Sequence, residues 1–95
     1  MFVPAEAVRC VGGYWQPKYS LPNARMIEAV QMLARTEALI LDPVYTGKIL
    51  AGLIGLAREG VFAAGQRVLF LHTGGLPGVF AYTDVLLGRT GEVAP

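Results

Sequence analysis

Residues 67–75 read Arg-Val-Leu-Phe-Leu-His-Thr-Gly-Gly, an unbroken apolar centre that runs into a glycine turn. Apolarity that does not alternate predicts a strand covered on both faces, as in a parallel sheet. A short apolar segment, Leu76 to Tyr82, follows the glycines. Strand, glycine turn and helix start make a geometry in which backbone N–H groups can face a ligand. Upstream, Ala38-Leu-Ile-Leu41 is a second short apolar run, and Asp42-Pro43 stops it. Two buried strands with a helical segment between them give an α/β unit with a parallel connection.

The helical segments have readable ends. Asn23 is a suitable N-cap, and Ile27, Val30, Leu33 and Ala34 recur at helical spacing with Met26 beside them, predicting a helix from 23 to about 37. A second helix is predicted from 44–46 to Glu59, with Gly60 placed for its C-cap. Its centre, Ile49 to Ala57, is apolar around most of the circumference, which predicts burial on several sides. Gly52 and Gly55 weaken a helix by about 1 kcal/mol each relative to Ala, so close packing is the expected compensation. Residues 1–22 hold Gly12-Gly13, Pro17, Pro22, Tyr14, Trp15 and Tyr19 without a helical period, and read as a loop segment ordered by whatever packs on its rings. The predicted organisation is a 1–22 loop, a 23–82 αβαβ unit and an 83–95 tail without pattern.

Composition narrows the classes. Ninety-five residues leave room for one domain or part of one. Eight Lys and Arg against seven Asp and Glu leave +1, and charged residues are 16% of the chain, so no basic footprint for nucleic acid is present. Apolar residues are 54% and mean hydropathy is +0.48, high for so small a chain. The longest apolar run, Ile49–Ala57, is far short of the roughly 20 residues a membrane span needs. The N-terminus lacks a basic start and an apolar signal core. The single cysteine, Cys10, can form no internal disulfide and no metal site alone, which favours a cytoplasmic setting. Two strands and their helices cannot cover both faces of a sheet, so the apolarity points to packing against something beyond these elements.

Three motifs, in register, carry a resemblance: Asp42-Pro-Val-Tyr-Thr-Gly-Lys48 with Ala51-Gly-Leu-Ile54, then Val68-Leu-Phe-Leu-His-Thr-Gly-Gly75, and, earlier, Tyr19-Ser-Leu-Pro-Asn23 with Glu28-Ala-Val30. The chain resembles the C-terminal part of the D-cysteine desulfhydrase and 1-aminocyclopropane-1-carboxylate deaminase family over residues 14 to 82. These are pyridoxal 5'-phosphate enzymes of the tryptophan-synthase β-like fold (fold type II). The resemblance implies a partial three-layer parallel sheet, a small amino-acid substrate, and a homodimer for the intact enzyme. It implies Tyr45 and Tyr19 as catalytic residues across the site from one another, Thr73 beside the pyridine nitrogen, and Gly74 and Gly75 as the turn that lets backbone approach the ring. No metal is implied.

Residues with those chemistries suit such roles. A phenol donates without carrying charge at neutral pH. A threonine hydroxyl at the pyridine nitrogen tunes the cofactor more gently than a carboxylate would. Within the family, the deaminase branch tends to have Glu after the motif tyrosine and Leu at the glycine-turn threonine; Thr46 and Thr73 here favour the desulfhydrase side. Ala38 stands where the family commonly has glycine, and Ser20 replaces the usual glycine after Tyr19. The family's Schiff-base lysine and phosphate loop lie upstream of the matching region. Lys18 and Lys48 are not in that lysine's context, and Lys48 lacks the surroundings of a P-loop. The 95-residue chain is therefore expected to be inactive alone, needing the rest of the enzyme polypeptide. The rival readings are a deaminase-like fragment and a non-catalytic α/β binding module. His72 reads as a strand-end histidine satisfied by backbone, and Cys10 as an unactivated thiol.

Overall fold

The computed structural model describes residues 2–89. A 3-10 turn at Ala5–Ala7 precedes a long loop. Helix α1 (Ala24–Glu37) and helix α2 (Thr46–Arg58) follow, then a 3-10 segment at Leu76–Tyr82 and a short helix α3 (Thr83–Leu86). The Asn23 side chain accepts from Met26 N at 2.8 Å and starts α1 as expected. At the end of α2, Gly60 takes φ 79° while Val61 N reaches Leu56 O, closing the helix with a glycine in the left-handed region.

The two long helices pack on one another, and the centre of that contact differs from the expected stripe. Met26, Ala29 and Val30 are the buried residues of α1, whereas Ile27 and Leu33 are partly buried around them. The reason lies on α2: a Cβ at Gly47 would sit 2.9 Å from both Met26 Cγ and Val30 Cγ2. The helices meet where one has no side chain. Leu41, Leu50, Ala51 and Leu86 complete the core. α2 is not buried on several sides: Thr46–Lys48, Leu50 and Ala51 are buried, while Ile49 is 55% exposed. Gly52 and Gly55 do face a close neighbour, the Tyr14 ring, and a Cβ on Gly55 would strike its hydroxyl. An Arg58–Glu28 pair ties the helices at the surface, a contact of at most about 1 kcal/mol.

The parallel sheet predicted from the sequence is absent among the described residues. Neither 38–41 nor 67–72 forms a strand, because a strand exists only through a hydrogen-bonded neighbour. Between them runs one bond, from His72 Nε2 to Ile40 O at 2.9 Å. The expected burial on both faces fails with it: Leu69 is 92% and Leu71 72% exposed. The patternless tail also needs revision, since α3 lies within it and places Leu86 against α1, where Gln31 Nε2 donates to Leu86 O at 2.8 Å. Residues 90–95 of that tail lie outside the described residues.

Candidate functional site

Asp42 is the centre on which the site is assembled. It is 3% exposed and stands just before α2. Its Oδ1 accepts from Val44 N and Tyr45 N at 2.9 and 2.7 Å, and its Oδ2 from Thr46 N at 2.9 Å and Thr46 Oγ1 at 2.6 Å. A carboxylate there satisfies amides that a helix start leaves unpaired and meets the positive end of the helix dipole. Burial alone would push its carboxyl up; the Thr46 hydroxyl and the three amides outweigh that and hold it below the ordinary 3.8. Asp42 also receives the glycine turn. Gly75 has φ 88°, and a Cβ there would lie 2.9 Å from Asp42 Cβ and Cγ. Only glycine satisfies both the backbone and the space.

Tyr45 is the residue immediately before α2, and the cap on the helix fixes its backbone. Its hydroxyl meets the hydroxyl of Tyr19 at 2.8 Å, with the rings 5.9 Å apart and inclined at 54°. Both tyrosines are exposed, at 55% and 68%. The bond from Tyr19 is the main cause that raises the Tyr45 pKa above its usual 10.0, with desolvation and the nearby Asp42 charge adding to it. Tyr19 rides on the 13–22 loop, which has no helix or strand of its own. Its carbonyls are held by side chains from elsewhere: Tyr14 O and Gln16 O by Asn23, Trp15 O and Lys18 O by Lys48, and Ser20 O by Tyr82.

Thr73 stands on the wall of an open groove of about 540 Å³ shared with Lys48, Ile49, Leu69 and Leu71, a groove that neither Tyr19 nor Tyr45 lines. Gly74 takes φ 103° with open space where a Cβ would be, and its N–H donates to His72 Nδ1 at 3.1 Å. With Nδ1 accepting, the neutral His72 tautomer carries its proton on Nε2 and donates to Ile40 O, the backbone-satisfied histidine the sequence suggested. The structure thus joins Tyr19 to Tyr45 directly and brings Gly75 to Asp42.

Asp42 does not merely stop the 38–41 run but caps the helix after it, and an acidic residue just ahead of a helix start is the sequence signal for that role. Thr46 changes meaning. It is fully buried in the cap, where its hydroxyl both donates to Asp42 and accepts from Asp42 N at 2.9 Å, so its identity answers to the fold. Among the described residues no helix is long and apolar enough to cross a membrane. No group of three potential metal-ligating acids, histidines or cysteines occurs among them either. Cys10 is exposed and free.

The tyrosine pair and the glycine turn fall at the positions of the three motifs, and comparison with known proteins bears on the family those motifs imply. The chain is 49% identical over 72 residues to a 1-aminocyclopropane-1-carboxylate deaminase of Ralstonia pickettii, covering 76% of this chain and 21% of that protein. It is 43% identical over 79 residues to a D-cysteine desulfhydrase of Yersinia pestis, covering 83% and 24%. A crystal structure of an ACC deaminase homologue superimposes with a TM-score of 0.66 at 41% identity over 77% of this chain and 22% of that one. No family profile matches. The chain is homologous to the deaminase and desulfhydrase family and shares its fold over the matched region, and it spans about a fifth to a quarter of the length of these relatives.

Proposed function

We propose that this chain forms one wall of the active site of a pyridoxal-phosphate lyase acting on a small amino acid, of the D-cysteine desulfhydrase kind, releasing a keto acid, ammonia and sulfide. The observation that carries the reading is the Tyr19–Tyr45 hydroxyl pair, exposed at the two motif positions. Of two bonded phenols one donates to the other, which leaves the second proton free for a substrate carboxylate or a leaving group. The Tyr19 hydroxyl raises the Tyr45 pKa above its usual 10.0, and a phenol is in any case uncharged at neutral pH and able to donate.

The cofactor, when bound, supplies an electron sink. In this reading the donor set on the groove wall serves the cofactor's ring side, with Thr73 as a neutral partner of the pyridine nitrogen and the Gly74–Gly75 turn beside it. It does not fit its phosphate at α2, because Asp42 already occupies the amides of that helix start. Phosphate loop and Schiff-base lysine belong, in this reading, to the remainder of a longer enzyme chain. That remainder would also cover the exposed apolar side, and the intact protein would be a cytoplasmic homodimer.

A deaminase-like substrate is the second reading, favoured by the 49% identity to the Ralstonia protein. The test has two arms. The 95-residue chain with pyridoxal phosphate should release no more keto acid from D-cysteine than cofactor alone. In a complete enzyme containing this segment, Tyr45→Phe and Tyr19→Phe should lower kcat by about 100-fold or more. Sulfide from D-cysteine marks a desulfhydrase, and ammonia from the cyclopropane amino acid marks a deaminase. Turnover of neither substrate by the complete enzyme, or phenylalanine variants as active as wild type, would overturn the proposal and favour a binding module.

A further inference from the structure

Lys48 lies in the first turn of α2, where the helix dipole disfavours a cation, and it is only 7% exposed. Burial holds its pKa below the ordinary 10.5. Its ammonium is satisfied by two loop carbonyls, Trp15 O at 2.8 Å and Lys18 O at 3.2 Å. Neither ion pair recorded among the described residues involves it. Lys18 immediately precedes Tyr19, and Lys48 follows Tyr45, the residue immediately before α2, by three positions.

The loop's other side-chain anchors come from different elements: Asn23 caps α1, and Tyr82 ends the second 3-10 segment. Apart from the tyrosine pair itself, the hydrogen bonds that join the Tyr19 loop to the helix of Tyr45 are those of Lys48. We propose that Lys48 is a positioning residue, stapling the 15–18 backbone to α2 so that the Tyr19 and Tyr45 hydroxyls stay in register. Its importance to turnover rests on the function proposed above; the staple itself does not.

The test reads the pair without reading activity. The chain carrying 3-fluorotyrosine at position 45 is titrated by ¹⁹F NMR, with Tyr19→Phe as the reference for an unpaired Tyr45. Lys48→Met should move the Tyr45 midpoint down to that reference while helical circular dichroism is kept. Lys48→Arg, which can still donate to two carbonyls, should hold it near wild type. A Lys48→Met chain that folds and titrates like wild type overturns the proposal. Should neither Met nor Gln at 48 fold, the wild-type chain decides: nuclear Overhauser contacts from the Lys48 Hε protons to Trp15 and Lys18 Hα are expected, and their absence overturns it. A released Tyr45 in Lys48→Met, together with fully active Tyr19→Phe and Tyr45→Phe enzymes, would keep the staple and remove only the catalytic reading.

Discussion

Ser20 and Ala38 hold left-handed backbone, with φ of 63° and 57°, and among the described residues they are the non-glycine residues that do. These are also the two positions where the resemblance leads one to expect glycine. A side chain costs about 1–2 kcal/mol in this conformation, and glycine gives part of that back through its greater freedom when unfolded. Ala38 closes α1, its N–H reaching Ala34 O at 3.1 Å, and Ser20 follows Tyr19 and offers its carbonyl to Tyr82. Neither role uses the side chain. Ala38→Gly and Ser20→Gly should therefore each stabilise the chain, by roughly 1 kcal/mol. Urea unfolding followed by circular dichroism measures this, and a loss of stability in both variants would show that the backbone at these sites is not left-handed.

The helices show which signals are local. Their starts and ends could be read from Asn23, Gly60 and the 3.6-residue period because a helix satisfies its backbone within itself. The strands could not, since residues 38–41 and 67–72 need partners that no local pattern supplies. The site divides the same way. Tyr19, Tyr45 and the glycine turn were legible from motifs, and the Asp42 cap is a local signal, bonded within four residues; Lys48, by contrast, takes its role from the tertiary contact that brings residues 15–18 to the helix end. Glycines on α2 separate by the same logic. A methyl at Gly47 would press on Asp42 O at 2.7 Å and on Met26 and Val30, while one at Gly52 would only touch Tyr14 Cδ2 at 3.5 Å. Gly47→Ala should cost about 1–3 kcal/mol by overpacking, and Gly52→Ala should add stability, up to about 1 kcal/mol, through helix propensity. Thermal unfolding of the pair checks the opposite signs; equal shifts would mean that the α1–α2 contact is looser than the structure has it.

At the scale of the molecule, surface outweighs core. The chain exposes 6992 Å², where a compact protein of this mass exposes about 5,300 Å². Its radius of gyration is 14.3 Å, against about 12 Å for a compact domain of this length. The excess is apolar in good part, with Leu69, Leu71, Ile49 and Phe80 all more than half exposed. Ile49, Leu69 and Leu71 line one groove, and contiguous apolar area of that kind binds hydrophobic probes and promotes association. The 95-residue chain should thus enhance anilinonaphthalene sulfonate fluorescence strongly at neutral pH and sediment above its monomer mass as concentration rises. Leu69 and Leu71 contribute to that surface while making little core contact, so Leu69→Lys with Leu71→Lys should cut probe binding and association and leave helical circular dichroism unchanged. A wild-type chain that stays monomeric and ignores the probe would mean that residues 67–72 fold inward in solution, and the groove lined by Thr73 would then not exist in this form.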